Sequence, residues 1–410
     1  MTLLDLLDSR KWPLLARPIA RIAPNTLLMA SPEAWIHVNK KGYKRASCHF
    51  ESARIEFQRD NIFSQSNTTL HDHRRKQLTH SYSGRDNHEL ESSVDMRIGE
   101  ILSLLRRKYK IQFLTLDVVS TVGLGKGFGM LGADADIDLC LKSGEEGLII
   151  GSMMMGLGLS WLVPAPVIGK LLVPSPGDGS GFGAMMAACY KTVDQRAETH
   201  KATNGRTDIL TSWLRHGLTK DELRSEALEQ IIAGSDTRAG ALRGIMFYLM
   251  STGRVYKKLQ AEIDAMPYLQ AVIREGMRVW PPVVNLFPHE VPAGGDTMLI
   301  DGKPVFLPGG SEIGLSGLAM MHNNDVFGED AEDQDRLGLA VMLKPSELIW
   351  CHSKWQCLCK PIAFMEISNT IFKMLRTFDW ALIDPTSPWK TKSPFGRFAI
   401  DDMWVRVTDR

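Results

Sequence analysis

The sequence is poor in cysteine: six residues in 410, Cys48, Cys140, Cys189, Cys351, Cys357 and Cys359. That is too few for a disulfide scaffold of this length, and without a secretory leader ahead of them a reducing compartment is expected. The chain also lacks an excess of either charge. Lysine plus arginine total 48 against 47 for aspartate plus glutamate, a net charge of +1, which speaks against a nucleic-acid binder. No apolar run reaches bilayer length. Asp5, Asp8, Arg10 and Lys11 interrupt the amino-terminal leucines, so no membrane anchor is expected there. The longest apolar stretch, residues 147–163, stops at Pro164 and Pro166 and reads as a buried helix or a surface that dips into a membrane. The expected location is cytoplasmic or peripheral to a membrane. Phosphate-cradling loops are missing too. Residues 123–129 and 177–183 are glycine-rich, but Phe128 and Phe182 stand where GxGxxG needs its third glycine.

What is present reads as mainly α with a small β part. Two short apolar runs between residues 19 and 31 flank Pro24-Asn25, which is hairpin chemistry. Residues 70–109 turn helical and basic. Thr219 and Glu222 form a capping box that opens a long helix ending near Gly253. A second helix runs from about Pro267 to Trp280, where Pro281-Pro282 stops it. Residues 298–300 and 305–307 flank Asp301-Gly302 as one hairpin, and Pro308-Gly309-Gly310 turns into residues 312–315 as a second. A last helix spans about residues 360–378. With no repeat and no low-complexity linker, the expectation is one domain over residues 1–410, its small sheet built from about 19–31 and 298–315.

Several residues on these elements can carry chemistry. On the long helix, Leu228, Ile231, Ile232, Ser235, Ala239, Leu242 and Met246 form a core stripe. Opposite them, Ala233, Thr237, Gly240 and Gly244 form a stripe of small residues. Another helix can pack there, or a flat cofactor can lie against Thr237 with Asp236 beside it to relay protons. Glu275 and Arg278 are three apart on the outer side of the next helix, where an exposed pair is worth under about 1 kcal/mol. His71 and Arg75, one turn apart, can share an anion or simply face solvent. Cys351, Cys357 and Cys359 crowd together, as a zinc site would need, though one thiolate ahead of the Lys360-Pro361 helix start suffices for a haem iron.

The order and spacing of these pieces resemble the cytochrome P450 family, in its fungal pisatin-demethylase-like branch. The most specific matches are Ala233-Gly-Ser-Asp-Thr237, Glu275-Gly-Met-Arg278 and Lys354-Trp-Gln-Cys-Leu358. The resemblance implies a long central helix over haem b, with Cys357 as the metal's axial thiolate. It puts Ala233 and Gly234 over the distal face, and gives Asp236 and Thr237 the delivery of protons for dioxygen chemistry. His71, Arg75 and Lys354 would hold haem propionates, and Glu275 with Arg278 would be the structural ion pair. Val283, Val284, Leu286 and Phe395 would line the substrate pocket, roofed by residues 147–163. The implied activity is monooxygenation of an apolar small molecule in fungal secondary-metabolite biosynthesis, with dioxygen and electrons from an NADPH–cytochrome P450 reductase. That partner would meet Lys344, Lys354 and Lys360, and no nucleic acid is expected.

The chain also departs from the family's FGxGxxxCxG loop. Trp350 replaces the aromatic, Cys351 and Ser353 replace the preceding glycines, and Cys359 replaces the following one. Arg238 stands where a second threonine is usual. These departures keep a second reading open, a non-catalytic relic of the same fold with impaired haem binding.

Overall fold

Pro24 and Asn25 close a hairpin between β1 (Ile19–Ala23) and β2 (Thr26–Met29), as the sequence predicts. The computed structural model describes residues 18–40, 43–84, 87, 89–105, 111–157, 159–163, 165–199, 208–263, 266–300, 302–327, 345–392, 396 and 399–410. The principal helices, in chain order, are α1 (Pro32–Lys40), α2 (Thr68–Tyr82), α3 (Leu90–Leu104), α4 (Ile111–Leu124), α5 (Cys140–Gly156) and α6 (Gly181–Thr199). They continue with α7 (Ile209–Arg215), α8 (Lys220–Ser251), α9 (Gly253–Ala261), α10 (Met266–Val279) and α11 (Lys360–Thr377). Two compact units result. One holds residues 1–46, 240–357 and 370–410; the other holds 47–239 and 358–369.

The first unit contains the sheets. β3 (Lys44–Arg45), β4 (Asn285–Glu290) and β7 (Glu312–Ser316) join the hairpin in the order β1-β2-β7-β4-β3. β7 lies parallel to β2, with Thr26 opposite Glu312 and Met29 opposite Leu315, and antiparallel to β4. β5 (Asp296–Ile300) and β6 (Lys303–Leu307) form the expected hairpin, turned by Gly302 at φ 71. The second expected hairpin does not form. Ile313, Gly314 and Leu315 are buried in sequence, and a strand covered on both faces belongs in the middle of a sheet, so β7 takes β2 and β4 as partners instead of β6. Residues 298–307 therefore stand outside the five-stranded sheet. Under that sheet lie Trp35, Val38, Tyr43, Met29, Ile313 and Phe327, all buried. β8 (Phe378–Leu382) pairs with β11 (Val405–Asp409), and β9 (Lys390–Lys392) with β10 (Ala399–Asp401); the sequence reading missed both pairs.

The second unit is helical. The stretch expected as helix over 70–109 breaks after α2, where Gly84 turns at φ 76 before α3 begins at Leu90. Asp117, fully buried on α4, accepts from the amides of Gly129, Met130 and Leu131 at 2.8–3.2 Å and caps the short helix that starts there. Thr219 and Glu222 make the expected capping box, with the Thr219 amide on Glu222 Oε2 at 2.8 Å. α8 is about 50 Å long by its rise per residue, and the division between the units falls inside it, after residue 239. Its core stripe is buried except for Ile232, which is half-buried. In the first unit Gly244 takes the helix-packing alternative: a Cβ there would fall 2.8 Å from the Trp280 ring.

The described residues among 147–163 are not buried. α5 ends at Gly156, and Ile150, Met153, Leu157 and Trp161 are 57–70% exposed. A segment apolar all round has more greasy surface than one packing face can cover. Among the described residues no helix is long and apolar enough to cross a membrane.

Candidate active site

In the first unit the chain reaches Cys357 through two turns of 3₁₀ helix, Glu347–Trp350 and Ser353–Trp355. The Cys357 amide donates to the Trp350 carbonyl at 2.8 Å and closes the loop; its side chain stands exposed. α11 follows, with Pro361 in its first turn, where a missing N–H costs nothing. Two bends of this loop adopt left-handed backbone without glycine. Cys351 sits at φ 61, ψ −168, and Ser353 at φ 56. The first is a region that glycine alone populates freely, costing a residue with a Cβ about 1–3 kcal/mol. Cys351→Gly is therefore expected to stabilise the protein by about 1–2 kcal/mol, net of the larger unfolded-state entropy of glycine, and Ser353→Gly by less. Urea midpoints of the three proteins measure it; a Cys351→Gly midpoint at or below the wild type's would refute the strain.

Beside the loop, Trp355 packs edge-on to His289 of β4 at 5.6 Å between ring centres. The Arg45 guanidinium lies 4.3 Å over the Trp355 ring and the Lys354 ammonium 5.2 Å from it. His289 is 1% exposed, and among the described residues neither ring nitrogen meets the geometry of a hydrogen bond. Burial, then the charges of Arg45 and Lys354, push its pKa down to about 3. Arg45 and Lys354 thus bring two cations to the Trp355 ring, with the neutral His289 packed edge-on to the same ring. Nothing in the sequence singled out His289 or Arg45, since a histidine next to Glu290 in a strand that also carries Asn285 makes no pattern.

His322, whose Nε2 lies 3.0 Å from the Val279 carbonyl, is likewise pushed down, to about 4, by burial and by Arg278. The unfolded chain protonates such rings below about pH 6.5, whereas the native rings stay neutral. Their contribution is intact above pH 6.5 and is lost as pH falls toward 4. Relative to wild type, His289→Phe is expected to gain about 1.4 kcal/mol per pH unit between pH 6 and pH 4. Denaturation midpoints at three pH values read the slope, and parallel curves would sink the assignment.

Glu275 and Arg278 pair, but not at the surface where periodicity alone put them. Arg278 is 3% exposed. Its Nε and Nη2 donate to the two Glu275 oxygens at 2.9 and 2.7 Å, its Nη1 donates to the Met321 carbonyl, and its guanidinium lies 4.8 Å over the Phe327 ring. Residues 317–327 cover the face of α10 that looked exposed. In the same unit Val283 and Val284 line an apolar pocket with Phe287, Met320 and Cys351. Leu286 is placed by its backbone opposite Leu315, and Phe395 and Lys344 lie outside the described residues.

In the second unit Asp236 and Thr237 are half-buried on α8, and Thr237 Oγ1 donates to the Ala233 carbonyl at 2.7 Å. Ala233 is exposed while Gly234 is not. A Cβ on Gly234 would lie 2.8 Å from Val119 and against the Arg238 guanidinium, so the open side of this turn is Ala233's. Arg238 pairs with Glu366 of α11, a partner that the sequence reading missed. His71 is 1% exposed with Nδ1 3.0 Å from Asp72, which rules out solvated surface for it; Arg75 is half-buried. Its neighbour Arg74, not singled out, holds Glu226 at 2.7 Å and also Glu222. Among the described residues no three His, Cys, Asp or Glu side chains gather as metal ligands, so the zinc alternative has no ligand set.

Comparison with known proteins follows the same outline. The cytochrome P450 family model matches residues 24–335, which include the α8 and α10 motifs and end ahead of the cysteine loop. The cytochrome P450 monooxygenase ABA1 of Pyricularia oryzae is 33% identical across 95% of this chain and 84% of its own length. Pisatin demethylase of Fusarium vanettenii is 26% identical across 92% of this chain and 80% of its own. The heme domain of cytochrome P450DA superposes with a TM-score of 0.75 over 96% of this chain and 90% of that one, at 15% identity, a likeness of fold. With the family's profile over most of its length and the family's fold beneath it, this chain belongs to the cytochrome P450 family.

Proposed function

We propose that this cytochrome P450 monooxygenase works as one catalytic domain on an apolar small molecule of fungal secondary metabolism, with haem b held by Cys357. Haem is the cofactor of the family. When bound through a thiolate it supplies dioxygen activation, because sulfur donation to the iron favours O–O cleavage. The observation that carries the reading is the fit of the first unit. One exposed thiol ends a loop whose backbone keeps glycine-type bends, and Arg45 and Lys354 place two cations on the Trp355 ring just ahead of it.

In this reading His289, Arg45 and Lys354 bind haem carboxylates, as do His71 and Arg75. Val283, Val284 and Leu286 shape the apolar substrate side, with Phe395. Thr237 and Asp236 hold and pass the proton that dioxygen chemistry consumes. Glu275 and Arg278 brace residues 317–327 and do no chemistry. Electrons come from an NADPH–cytochrome P450 reductase, met by Lys354 and Lys360. The exposed Ile150, Met153, Leu157 and Trp161 make a peripheral contact with a membrane.

The strained bends at Cys351 and Ser353 favour one second reading, a relic that folds but holds haem poorly. Haem titration into the apoprotein, followed by the spectrum of the reduced, carbon-monoxide-saturated form, separates the two. Stoichiometric uptake with a strongly red-shifted Soret band supports the monooxygenase; no uptake, or an unshifted band, supports the relic.

A further inference from the structure

Arg238 is 4% exposed, in the place where the resemblance leads one to expect a threonine. Its side chain forks. Nε donates to the Gly234 carbonyl, one turn back, at 2.7 Å, while Nη1 pairs with Glu366, which is fully buried. Gly234 permits this, because the guanidinium lies against its Cα with Val119 on the other side. Among the described residues the second Glu366 oxygen and the Thr370 hydroxyl have no hydrogen-bond partners, so there Arg238 is the donor this carboxylate has. The preceding carbonyl, of Ala233, accepts from Thr237 Oγ1. Two successive carbonyls of the turn carrying Asp236 and Thr237 thus each take a side-chain donor from one turn ahead. Such bonds compete with the backbone ladder and bend or loosen a helix. A planar fork can satisfy a carbonyl and a carboxylate together, whereas lysine offers a single point charge.

We propose that Arg238 is a positioning residue: anchored on Glu366, it holds the Gly234 carbonyl and so sets the carriage of the 233–237 turn that presents Asp236 and Thr237. Its effect on oxygen chemistry rests on the haem-monooxygenase reading; its effect on the backbone does not. Buried ion pairs contribute little net stability but fix one arrangement, and losing a single partner is costly. Arg238→Lys keeps the charge facing Glu366 and gives up the fork. Arg238→Met with Glu366→Met removes the pair without stranding a charge.

Amide hydrogen exchange of the apoprotein over residues 233–242 is the first readout. In both variants the 238 amide, which shares the Gly234 carbonyl with this side chain, is expected to exchange about tenfold more slowly once the competing donor is gone, with urea midpoints near the wild type's. The second readout is the fraction of NADPH electrons released as hydrogen peroxide by the haem-loaded protein with a fungal reductase. It is expected to rise about threefold or more in both variants, with the carbon-monoxide spectrum kept, since a misplaced donor cannot deliver its proton on time. Exchange and peroxide fractions equal to the wild type's would overturn the proposal. Slowed exchange with an unchanged peroxide fraction would also overturn it, leaving Arg238 a purely structural lock. A wild type with no thiolate-type band fails the monooxygenase reading instead, and the exchange measurement still decides the backbone role.

Discussion

Cys357→Ala is expected to abolish the red-shifted Soret band of the reduced, carbon-monoxide-saturated protein, while Cys351→Ala and Cys359→Ala keep it. The three thiols differ in setting. Cys357 is exposed at the closure of its loop, where its amide donates to the Trp350 carbonyl. Cys351 lines the apolar pocket with Val284 and Met320 at a left-handed bend. Cys359 lies at the start of α11, where its carbonyl accepts from the Ala363 amide at 2.8 Å. Truncating an exposed side chain usually changes stability by less than about 0.5 kcal/mol, so Cys357→Ala folds and loss of the band reports the ligand. The thiolate is the species that binds metal, and an exposed sulfur ionises with less penalty than a buried one. A band lost in Cys351→Ala and retained in Cys357→Ala would move the ligand and overturn the loop's reading.

The second large effect is expected at Arg278. Arg278→Leu strands the Glu275 carboxylate, leaves the Met321 carbonyl without this donor, and removes the cation from Phe327. Breaking one side of a buried pair costs about 3–5 kcal/mol, a large part of the 5–15 kcal/mol that separates a typical folded protein from its unfolded chain. Arg278→Lys keeps the charge without the two-pronged geometry and is expected to lose roughly half as much. Replacing both partners, Glu275→Met with Arg278→Leu, recovers part of the loss because no charge is left buried alone. Urea unfolding followed by far-ultraviolet circular dichroism tests the series. An Arg278→Leu midpoint within error of the wild type's would show that residues 317–327 do not depend on this contact.

Local chemistry was legible in the sequence wherever neighbours in the chain decide the outcome. Pro24-Asn25 and Gly302 turned the two hairpins, Thr219 with Glu222 opened α8, and Pro281 stopped α10. Pairings between distant residues were not legible. Periodicity on α10 ranked its faces but could not know that residues 317–327 would cover the second, so Arg278 looked exposed. Arg238 stood out as a departure, yet its partner Glu366 lies 128 residues away and nothing local announces it. Likewise the Pro308-Gly309-Gly310 turn fixed that the chain bends after β6, not which strands β7 would join. His289 became notable only once its neighbours Arg45 and Trp355 were in place, since one ring in one strand carries no pattern.

The parallel pairing of β2 with β7 sets a schedule for synthesis. The Thr26 hydroxyl bonds to Glu312, 286 residues later. At about 5–20 residues per second, on the order of half a minute passes between the emergence of β2 and that of its partner. Throughout that interval the free edge of β2, with Leu27, Leu28 and Met29, can template pairing with other nascent chains. Overexpressed protein is therefore expected to depend on chaperone capacity, with losses worst when many ribosomes work on one message. A fragment cut before residue 312 never closes this edge, and it should be recovered as aggregate even though its helices can still form.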